Sequence, residues 1–287
     1  MASNAPILHK APTPTVNPNN PKVETWADIG LTLIHEFITE DEEATMIAAF
    51  HAADPRTGGR KRLSQHFGYH FDYTTFGASG TNFSPLPPYI AALLPRLPVQ
   101  NYLPDQFTTQ YYPPGAGIPP HVDTHSMFGE ALYSLSFGSD VPMAFKKAGA
   151  NDARKMRLPK RSLQVQDQAA AAAADTNTQA IVAESGTSTS TLQQQQQDEE
   201  DLPSWELVLP RRSLLLMMGP SRYGYTHGIK SRKTDIINGE PVLREGRYSI
   251  TMRTVRLGDA IGCTCNFPGV CDARVREEQE AAGMKGP

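Results

Sequence analysis

The sequence has 287 residues, of which 39% are hydrophobic and 20% are charged, and its formal net charge is −3. This length and composition fit one medium-sized domain with low-complexity additions and exclude a chain that is disordered throughout. No apolar run is long enough for a transmembrane helix, and the first twenty residues lack the apolar core of a signal peptide. We therefore expect a protein of the cytosol or nucleus that does not bind membranes, and whose nucleic-acid contacts are limited to local basic patches.

The N-terminal part of the chain predicts disorder followed by helix. Residues 1–24 are rich in Pro and Asn, and we expect them to be disordered up to a domain that begins at residue 25. Part of 27–54 has the apolar positions of a helix. The acidic run at 40–43 suits a helix N-terminus, and Thr39 is placed to cap it.

Beyond this segment the sequence predicts mostly strands. Residues 66–73 alternate in the period of a strand, the Gly and Ser-Pro signals in 77–85 predict a loop, and 88–96 predicts a short helix. Further strands are predicted at 106–112, 118–123, 132–137, 142–147, 205–209, 213–218, 224–228 and 247–256. Many short strands after one or two helices indicate a mostly β (α+β) sandwich or jelly roll rather than βαβ units.

Residues 148–203 interrupt the strand pattern. They contain a six-residue Ala run and five consecutive Gln at 193–197, which is a low-complexity composition. We expect a surface insertion between two strands, because each doubling of loop length costs only ~0.6 kcal/mol of closure entropy. The alternative is a functional segment whose basic start, at 154–161, contacts a polyanion.

His121 and Asp123 are candidate metal ligands, because positions i and i+2 of a strand project from the same face. His227 ends another predicted strand far downstream. Two imidazoles and one carboxylate on one face leave three coordination positions open, which suits Fe(II) with dioxygen and a bidentate co-substrate. An isolated His-x-Asp is weak evidence, and the alternative is a chance surface pair.

The strand at 247–256 has one polar face. Arg247, Ser249, Thr251 and Arg253 share that face, and Tyr, Ile and Met occupy the other. Two interior arginines are costly unless they bind an anion, and guanidinium matches carboxylate bidentately, so the pattern predicts a dicarboxylate. The alternative is the solvent-facing side of an edge strand.

The chain has three cysteines, Cys263, Cys265 and Cys271, within nine residues. An odd, clustered count does not predict a disulfide framework. With a fourth ligand the thiols would close a structural zinc site. From spacing alone, zinc and free thiols remain equal alternatives.

Longer motifs around these residues extend from Arg62 to Asp272, apart from the insertion. They include Gln65-His66-Phe67-Gly68-Tyr69, Ile118-Pro119-Pro120-His121-x-Asp123-Thr124-His125-Ser126, Ser221-Arg222-Tyr223-x-x-Thr226-His227-Gly228-Ile229, Arg247-x-Ser249-x-Thr251-x-Arg253 and Cys263-x-Cys265 with Cys271. Together they resemble the AlkB family of Fe(II)/2-oxoglutarate-dependent oxygenases, and most of all its branch that acts on the wobble uridine of tRNA.

The resemblance implies a double-stranded β-helix core at 25–275, with the N-terminal helices packed outside and a tail at 276–287. It implies iron on His121, Asp123 and His227. The residues that it assigns to 2-oxoglutarate are Gln110, Tyr112, Arg247, Ser249 and Arg253, with Gln110 standing where the family has Asn. It also implies that His125 is the fourth ligand of a structural zinc.

The implied reaction is hydroxylation of 5-methoxycarbonylmethyl uridine in tRNA. The alternatives are oxidative demethylation of N-alkylated nucleobases and a non-catalytic nucleic-acid-binding module. This branch also carries RNA-recognition and methyltransferase modules, which this sequence lacks, so we expect a partner protein to supply one of them.

Aromatic and basic side chains predict the substrate contacts. Arg62 is followed by Phe67, Tyr69 and Tyr73, and Arg222 precedes His227. Aromatic rings can stack a base and cations can hold phosphate. The alternative is that the aromatic residues belong to the core of a strand.

Overall fold

The computed structural model describes residues 11–53, 62–72, 77–149 and 202–283. The strands are β1 (Thr15–Asn17), β2 (Asn20–Trp26), β3 (Leu31–Ile34), β4 (Leu63–Asp72), β5 (Gly77–Ser84), β6 (Gln106–Tyr112), β7 (Ile118–His121), β8 (Leu132–Phe137), β9 (Val141–Lys147), β10 (Ser204–Leu209), β11 (Ser213–Met217), β12 (Tyr225–Ile229), β13 (Thr234–Ile237), β14 (Glu240–Leu243) and β15 (Arg247–Arg253). The helices are α1 (Glu40–Ala53), α2 (Pro88–Ala91), α3 (Gly219–Tyr223) and α4 (Asp272–Gly283).

Two antiparallel sheets face each other. The major sheet has the order β1-β2-β3-β11-β8-β15-β6-β4-β5, and the minor sheet has the order β10-β9-β12-β7. From β6 onward the chain alternates between them: β6 is major, β7 minor, β8 major, β9 and β10 minor, β11 major, β12 minor and β15 major. This connectivity is that of a double-stranded β-helix, so the predicted jelly roll is confirmed.

The major sheet has a helix-covered face and a face toward the minor sheet. Tyr248, Ile250 and Met252 of β15 belong to a buried cluster that includes Met46 of α1 and Ile90 of α2. The predicted packing of the helices outside the β core is thereby confirmed. The alternate residues of β15 then face the minor sheet, where polar side chains line a cavity.

A second apolar cluster joins the two sheets away from this cavity. Leu33 and Leu215 come from the major sheet, and Phe145 and Trp205 come from the minor sheet. The rings of Phe145 and Trp205 stack with centroids 5.7 Å apart. Burial of this apolar cluster stabilises the packing of the two sheets. The rest of the space between the sheets is the cavity, which polar side chains line.

Helix α1 begins with the predicted cap. The backbone N–H of Glu42 donates to Thr39 Oγ1 (3.1 Å), and the N–H of Thr39 donates to a Glu42 carboxylate oxygen (2.7 Å). The next residue, Glu43, is buried and accepts hydrogen bonds from the N–H of Gly138 (2.7 Å) and from Arg211 Nη2 (2.6 Å). The start of α1 is therefore attached to two turns of the β core.

The predicted disorder of residues 1–24 is wrong from Thr15 onward. Strands β1 and β2 form a hairpin that extends the major sheet through β3. The Asn- and Pro-rich composition belongs to the turn between them, where Asn17 Oδ1 accepts the N–H of Asn19 (2.9 Å). Residues 1–10 lie outside the described part of the chain.

Three other parts of the fold differ from the predictions. Residues 77–84 form β5 instead of a loop, because an edge strand paired on one side tolerates glycine. The hairpin of β13 and β14 was not predicted. Helix α4 runs through residue 275, so the predicted boundary between domain and tail falls within a helix.

The insertion lies between directly paired strands. Ser204 of β10 is opposite Lys146 of β9, and the N–H of Lys147 donates to the carbonyl of Pro203 (2.9 Å). Residues 150–201 lie outside the described part of the chain, so the low-complexity loop itself stays a prediction. Within the described ranges, no helix combines the length and the apolar character that crossing a bilayer requires.

Candidate active site and metal centres

Pairing of β7 with β12 brings the first candidate ligands together. His121 is directly opposite His227 in the register, with ring centroids 4.4 Å apart. Asp123 follows two residues after His121, and its Oδ2 lies 3.5 Å from His227 Nε2. One ligand atom from each of the three side chains lies within 4.8 Å of the others. The structure therefore assembles the predicted triad on the wall of the cavity.

The hydrogen bonds of the triad fit a bound cation. His121 Nδ1–H donates to the carbonyl of Pro119 (3.0 Å), which leaves the lone pair of the neutral ring on Nε2. Asp123 Oδ2 is buried and has no hydrogen-bond partner among the described residues. Such an atom is costly unless a ligand satisfies it, and a divalent metal would do so.

Arg253 binds the other carboxylate oxygen of Asp123, Oδ1. Its Nε and Nη2 donate to Asp123 Oδ1 at 2.9 and 2.7 Å, and its Nη1 donates to Gln106 Oε1 at 3.1 Å. Burial acts to raise the pKa of Asp123, but the charge of Arg253 and contact with His227 outweigh it and hold the pKa well below its usual value. Asp123 is therefore ionised and oriented before any metal binds.

Arg247 provides a buried cation deeper in the same cavity. Its Nε donates to Ser136 Oγ (3.0 Å), and its guanidinium carbon lies 5.3 Å from the centre of the Tyr112 ring. Burial lowers the pKa of Arg247. Across the described ranges, no carboxylate forms a salt bridge with it. An anionic ligand would supply the missing counter-charge.

The other predicted 2-oxoglutarate residues line the same cavity. The Tyr112 hydroxyl donates to Gln110 Oε1 (2.6 Å), and Gln110 Nε2 donates to Ser64 Oγ (3.3 Å). Ser249 and Arg253 complete this wall. The cavity thus joins the candidate metal ligands on one wall to a polar, cationic wall from the major sheet.

A model of the 2OG-Fe(II) oxygenase superfamily matches residues 30–253. The chain belongs to that superfamily. Membership implies Fe(II) and 2-oxoglutarate, which are the two groups that the cavity walls fit.

The oxygenase is also similar to individual proteins. It is 30% identical over 283 residues to tRNA (carboxymethyluridine(34)-5-O)-methyltransferase alkbh8 of Xenopus tropicalis, a match that covers 90% of this chain and 36% of that protein. It is 28% identical over 262 residues to the Alkylated DNA repair protein ALKBH8 homolog of Arabidopsis thaliana, covering 85% of this chain and 63% of that protein. A solved structure of OsALKBH1 aligns with a TM-score of 0.46 and 13% identity, over 80% of this chain and 99% of that one.

These sequence relatives support the predicted placement of the oxygenase in the AlkB family. The chain spans about a third of the length of the animal relatives that it matches.

The cysteine cluster of the oxygenase lies beside the segment that leads from His121 to the candidate iron ligand Asp123. One ligand atom each from His125, Cys263, Cys265 and Cys271 lies within 4.8 Å of the others, and Cys265 Sγ is 3.4 Å from His125 Nδ1. Hydrogen bonds from the other two thiols hold the pKa of Cys263 below its usual value. Three sulfurs and one imidazole nitrogen are the donor set of a closed tetrahedral zinc site.

The predicted substrate residues are dispersed. Arg62 is exposed at the cavity and lies 5.4 Å from the Tyr112 ring. Phe67 is opposite Phe107 in the register and packs on the helix side of the sheet, so its predicted substrate contact is wrong. Tyr69 packs edge-on against Phe83 and does not line the cavity. Tyr73 lies outside the described residues.

The predicted substrate contact of Arg222 is also wrong. Its side chain is 2% exposed and bonds to backbone carbonyls, including those of Asp123 and Thr124. A nearby cation, Lys230, is paired as well, with Glu206 at 2.8 Å. A charge in the sequence shows neither where the side chain points nor whether backbone acceptors surround it.

Two contributors to the site were not predicted. Gln106 precedes Gln110 by four residues on the same face of β6, so strand periodicity could have indicated it. His66 lies on β4 with its Nδ1 3.4 Å from Thr108 Oγ1, and burial and the charge of Arg253 lower its pKa. Its alternation with Phe67 was visible in the sequence, but the sequence did not show which of the two residues lies on the side of Thr108, which lines the cavity.

Proposed function

We propose that this protein is an Fe(II)/2-oxoglutarate-dependent dioxygenase that hydroxylates 5-methoxycarbonylmethyl uridine at the wobble position of tRNA. The observation that carries the proposal is a cavity with the His121–Asp123–His227 triad on one wall and Arg247 on the other, where no described carboxylate pairs with this arginine. A metal site and an anion site that face one cavity suit a metal-bound dicarboxylate co-substrate.

The side chains have distinct roles in this reaction. Bound iron, with 2-oxoglutarate and dioxygen, supplies the oxidising power to convert a substrate C–H bond into C–OH. His121, Asp123 and His227 would hold the iron. Arg247 would bind a co-substrate carboxylate, and Arg253 keeps Asp123 ionised and fixed in orientation.

The names of the relatives and one exposed cation support a tRNA substrate. The Xenopus relative is named for a methyltransferase that acts on a modified uridine at position 34 of tRNA. A base in an anticodon loop is already largely single-stranded, so presenting it to a cavity costs little. Arg62, exposed at the mouth, is placed to contact phosphate. Further tRNA contacts would come from an RNA-binding or methyltransferase partner in the cytosol or nucleus.

Mass spectrometry of tRNA nucleosides tests the reaction. After incubation with Fe(II), 2-oxoglutarate and the protein, we expect 5-methoxycarbonylmethyl uridine to gain one oxygen, and we expect no change with Asp123→Ala. Release of formaldehyde would instead support the second candidate, an N-demethylase, which the name of the Arabidopsis relative favours. Absence of succinate from the wild-type reaction would contradict both and leave a binding module.

We further propose that His125, Cys263, Cys265 and Cys271 hold a structural zinc. Four protein ligands leave no open position for chemistry. The role would be to attach the C-terminal segment to the strand that carries the iron ligands.

A further inference from the structure

A four-residue segment carries one ligand of each predicted metal centre. Asp123 belongs to the iron triad and His125 to the cysteine cluster, and all of 123–126 is buried. The segment follows β7 as irregular backbone. Its peptide groups therefore need partners from outside it, and those partners fix where both ligands point.

Arg222 of α3 binds the carbonyl side of this segment. Its Nη1 donates to the carbonyl of Asp123 and its Nη2 to the carbonyl of Thr124, both at 2.9 Å, and its Nε lies 3.4 Å from the carbonyl of Gly129. The guanidinium also lies 4.8 Å from the ring of Tyr223. One planar group thus holds two consecutive carbonyls in a fixed relation.

Asp272, the first residue of α4, binds the amide side of the same segment. Its Oδ1 accepts the backbone N–H groups of His125 (2.8 Å) and Ser126 (3.0 Å), and its Oδ2 accepts the Ser126 hydroxyl. The carboxylate is 1% exposed. Charge-assisted hydrogen bonds of this kind are about twice as strong as neutral ones.

We propose that Arg222 and Asp272 are positioning residues that hold the 123–126 backbone from its two sides and thereby set where it presents the Asp123 side chain, whose carboxylate Arg253 orients. We call this pair of residues the clamp. Because Asp272 directly follows the candidate zinc ligand Cys271, the clamp links the C-terminal loop to the candidate iron triad. The inference rests on the proposed assignment of iron to the triad, and it is independent of which substrate is oxidised.

The Asp272 variants make the clamp testable without removing the arginine. Asp272→Ala deletes all three hydrogen bonds to the segment. Asp272→Asn keeps an oxygen for both backbone N–H groups and presents an amide that can donate to Ser126 Oγ. Glu277→Ala, at an exposed position of the same helix, is the matched control. Arg222→Lys tests the carbonyl side of the segment, because a single ammonium does not reproduce the two parallel N–H donors that the guanidinium directs at the carbonyls of Asp123 and Thr124.

The measurement is Mn(II) affinity of the zinc-loaded protein, read from the electron paramagnetic resonance of free Mn(II), together with the melting temperature and zinc content. The Mn(II) binding that is lost in Asp123→Ala is taken as binding at the triad. We expect Asp272→Ala to weaken triad binding about 10–100-fold, as loss of groups that orient metal ligands commonly does. We expect Asp272→Asn to restore it to within about threefold, Arg222→Lys to weaken it like Asp272→Ala, and Glu277→Ala to match wild type.

The outcomes separate the clamp from the site that it serves. Wild-type affinity in folded Asp272→Ala would overturn the clamp and leave the iron assignment standing. Equal weakening in Asp272→Asn and Asp272→Ala would overturn it as well, because the charge and not the backbone bonds would then matter. A wild-type protein that binds Mn(II) no better than Asp123→Ala would overturn the iron assignment and the clamp together.

Discussion

Arg247 is a buried cation whose guanidinium is held by Ser136 Oγ and the Tyr112 ring and lacks a carboxylate partner in the described ranges. Burying a charge without a partner costs free energy, and binding of an anion beside the guanidinium would offset that cost. Its role is therefore measurable through co-substrate affinity, without knowledge of the nucleic acid.

Arg247→Ala should weaken 2-oxoglutarate binding by about 10–100-fold, because each charge-assisted hydrogen bond contributes about 1.5–3 kcal/mol. Arg247→Lys should recover only part of the affinity, since the lysine keeps the positive charge but cannot bind a carboxylate through two parallel N–H donors. Titration calorimetry of the Mn(II)-loaded protein measures both, and Lys233→Ala, at an exposed position, is the control. Unchanged affinity in Arg247→Ala would contradict the anion site.

Strand periodicity explains which site residues were predictable. Arg247, Ser249 and Arg253 share a face because strand side chains alternate, and His121 and Asp123 do so for the same reason. The identity of the helix-covered face depends on tertiary packing, which the sequence does not show, and for that reason the substrate contact predicted for Phe67 is wrong.

At the scale of elements, the start of α1 is attached to the β core through Glu43. The pKa of Glu43 is subject to burial, which raises it, but hydrogen bonds from Arg211 and the N–H of Gly138 outweigh burial and lower it. A carboxyl whose folded pKa is depressed stabilises the fold above its unfolded pKa. That stabilisation is lost as the pH falls through the folded pKa.

Glu43→Gln should therefore lower the free energy of unfolding at pH 7 by about 1–3 kcal/mol, and the difference from wild type should shrink below about pH 4. Glu40→Gln is the control, because Glu40 is 82% exposed in its pair with Arg212. Urea unfolding at the two pH values measures the effect. A difference that grows as the pH falls would show that Glu43 does not act through its charge.

The elements that escaped prediction have weak local signals. β13 and β14 are four residues each, and their buried members include Asp235, paired with Arg244 at 2.6 and 2.8 Å. A buried ion pair breaks the apolar alternation that marks a strand. The β1–β2 hairpin is mostly exposed, so its pairing with β3 and not its composition makes it a strand.

The β9–β10 hairpin predicts that the insertion is dispensable for co-substrate chemistry. Deleting 150–201 and joining Gly149 to Leu202 through a short turn should preserve both strands, since Lys146 and Ser204 are already paired. We expect succinate production in the absence of tRNA to remain near wild type, and the melting temperature to change by no more than a few degrees. A large loss of either would mean that the insertion packs on the core.

Across the whole molecule, the cysteine cluster brings the C-terminal segment against the loop that contains His125 and the candidate iron ligand Asp123. Cys265→Ser should reduce zinc to well below one equivalent by elemental analysis and increase hydrogen exchange beyond residue 258, because metal binding and local folding are coupled. Asp259→Ala, at an exposed position just before the loop, should keep both properties. Full zinc content in Cys265→Ser would remove Cys265 from the ligand set.

The insertion also divides the proposed catalytic centre between two stretches of chain. His121 and Asp123 precede it, and His227 and Arg247 follow it. β8 of the first stretch is flanked by β11 and β15 of the second, so neither half has a complete sheet of its own. Residues 1–149 and 202–287 expressed as separate polypeptides should therefore behave as a split enzyme. Each should be unstructured alone, and mixing should restore circular dichroism and 2-oxoglutarate binding with a second-order dependence on fragment concentration.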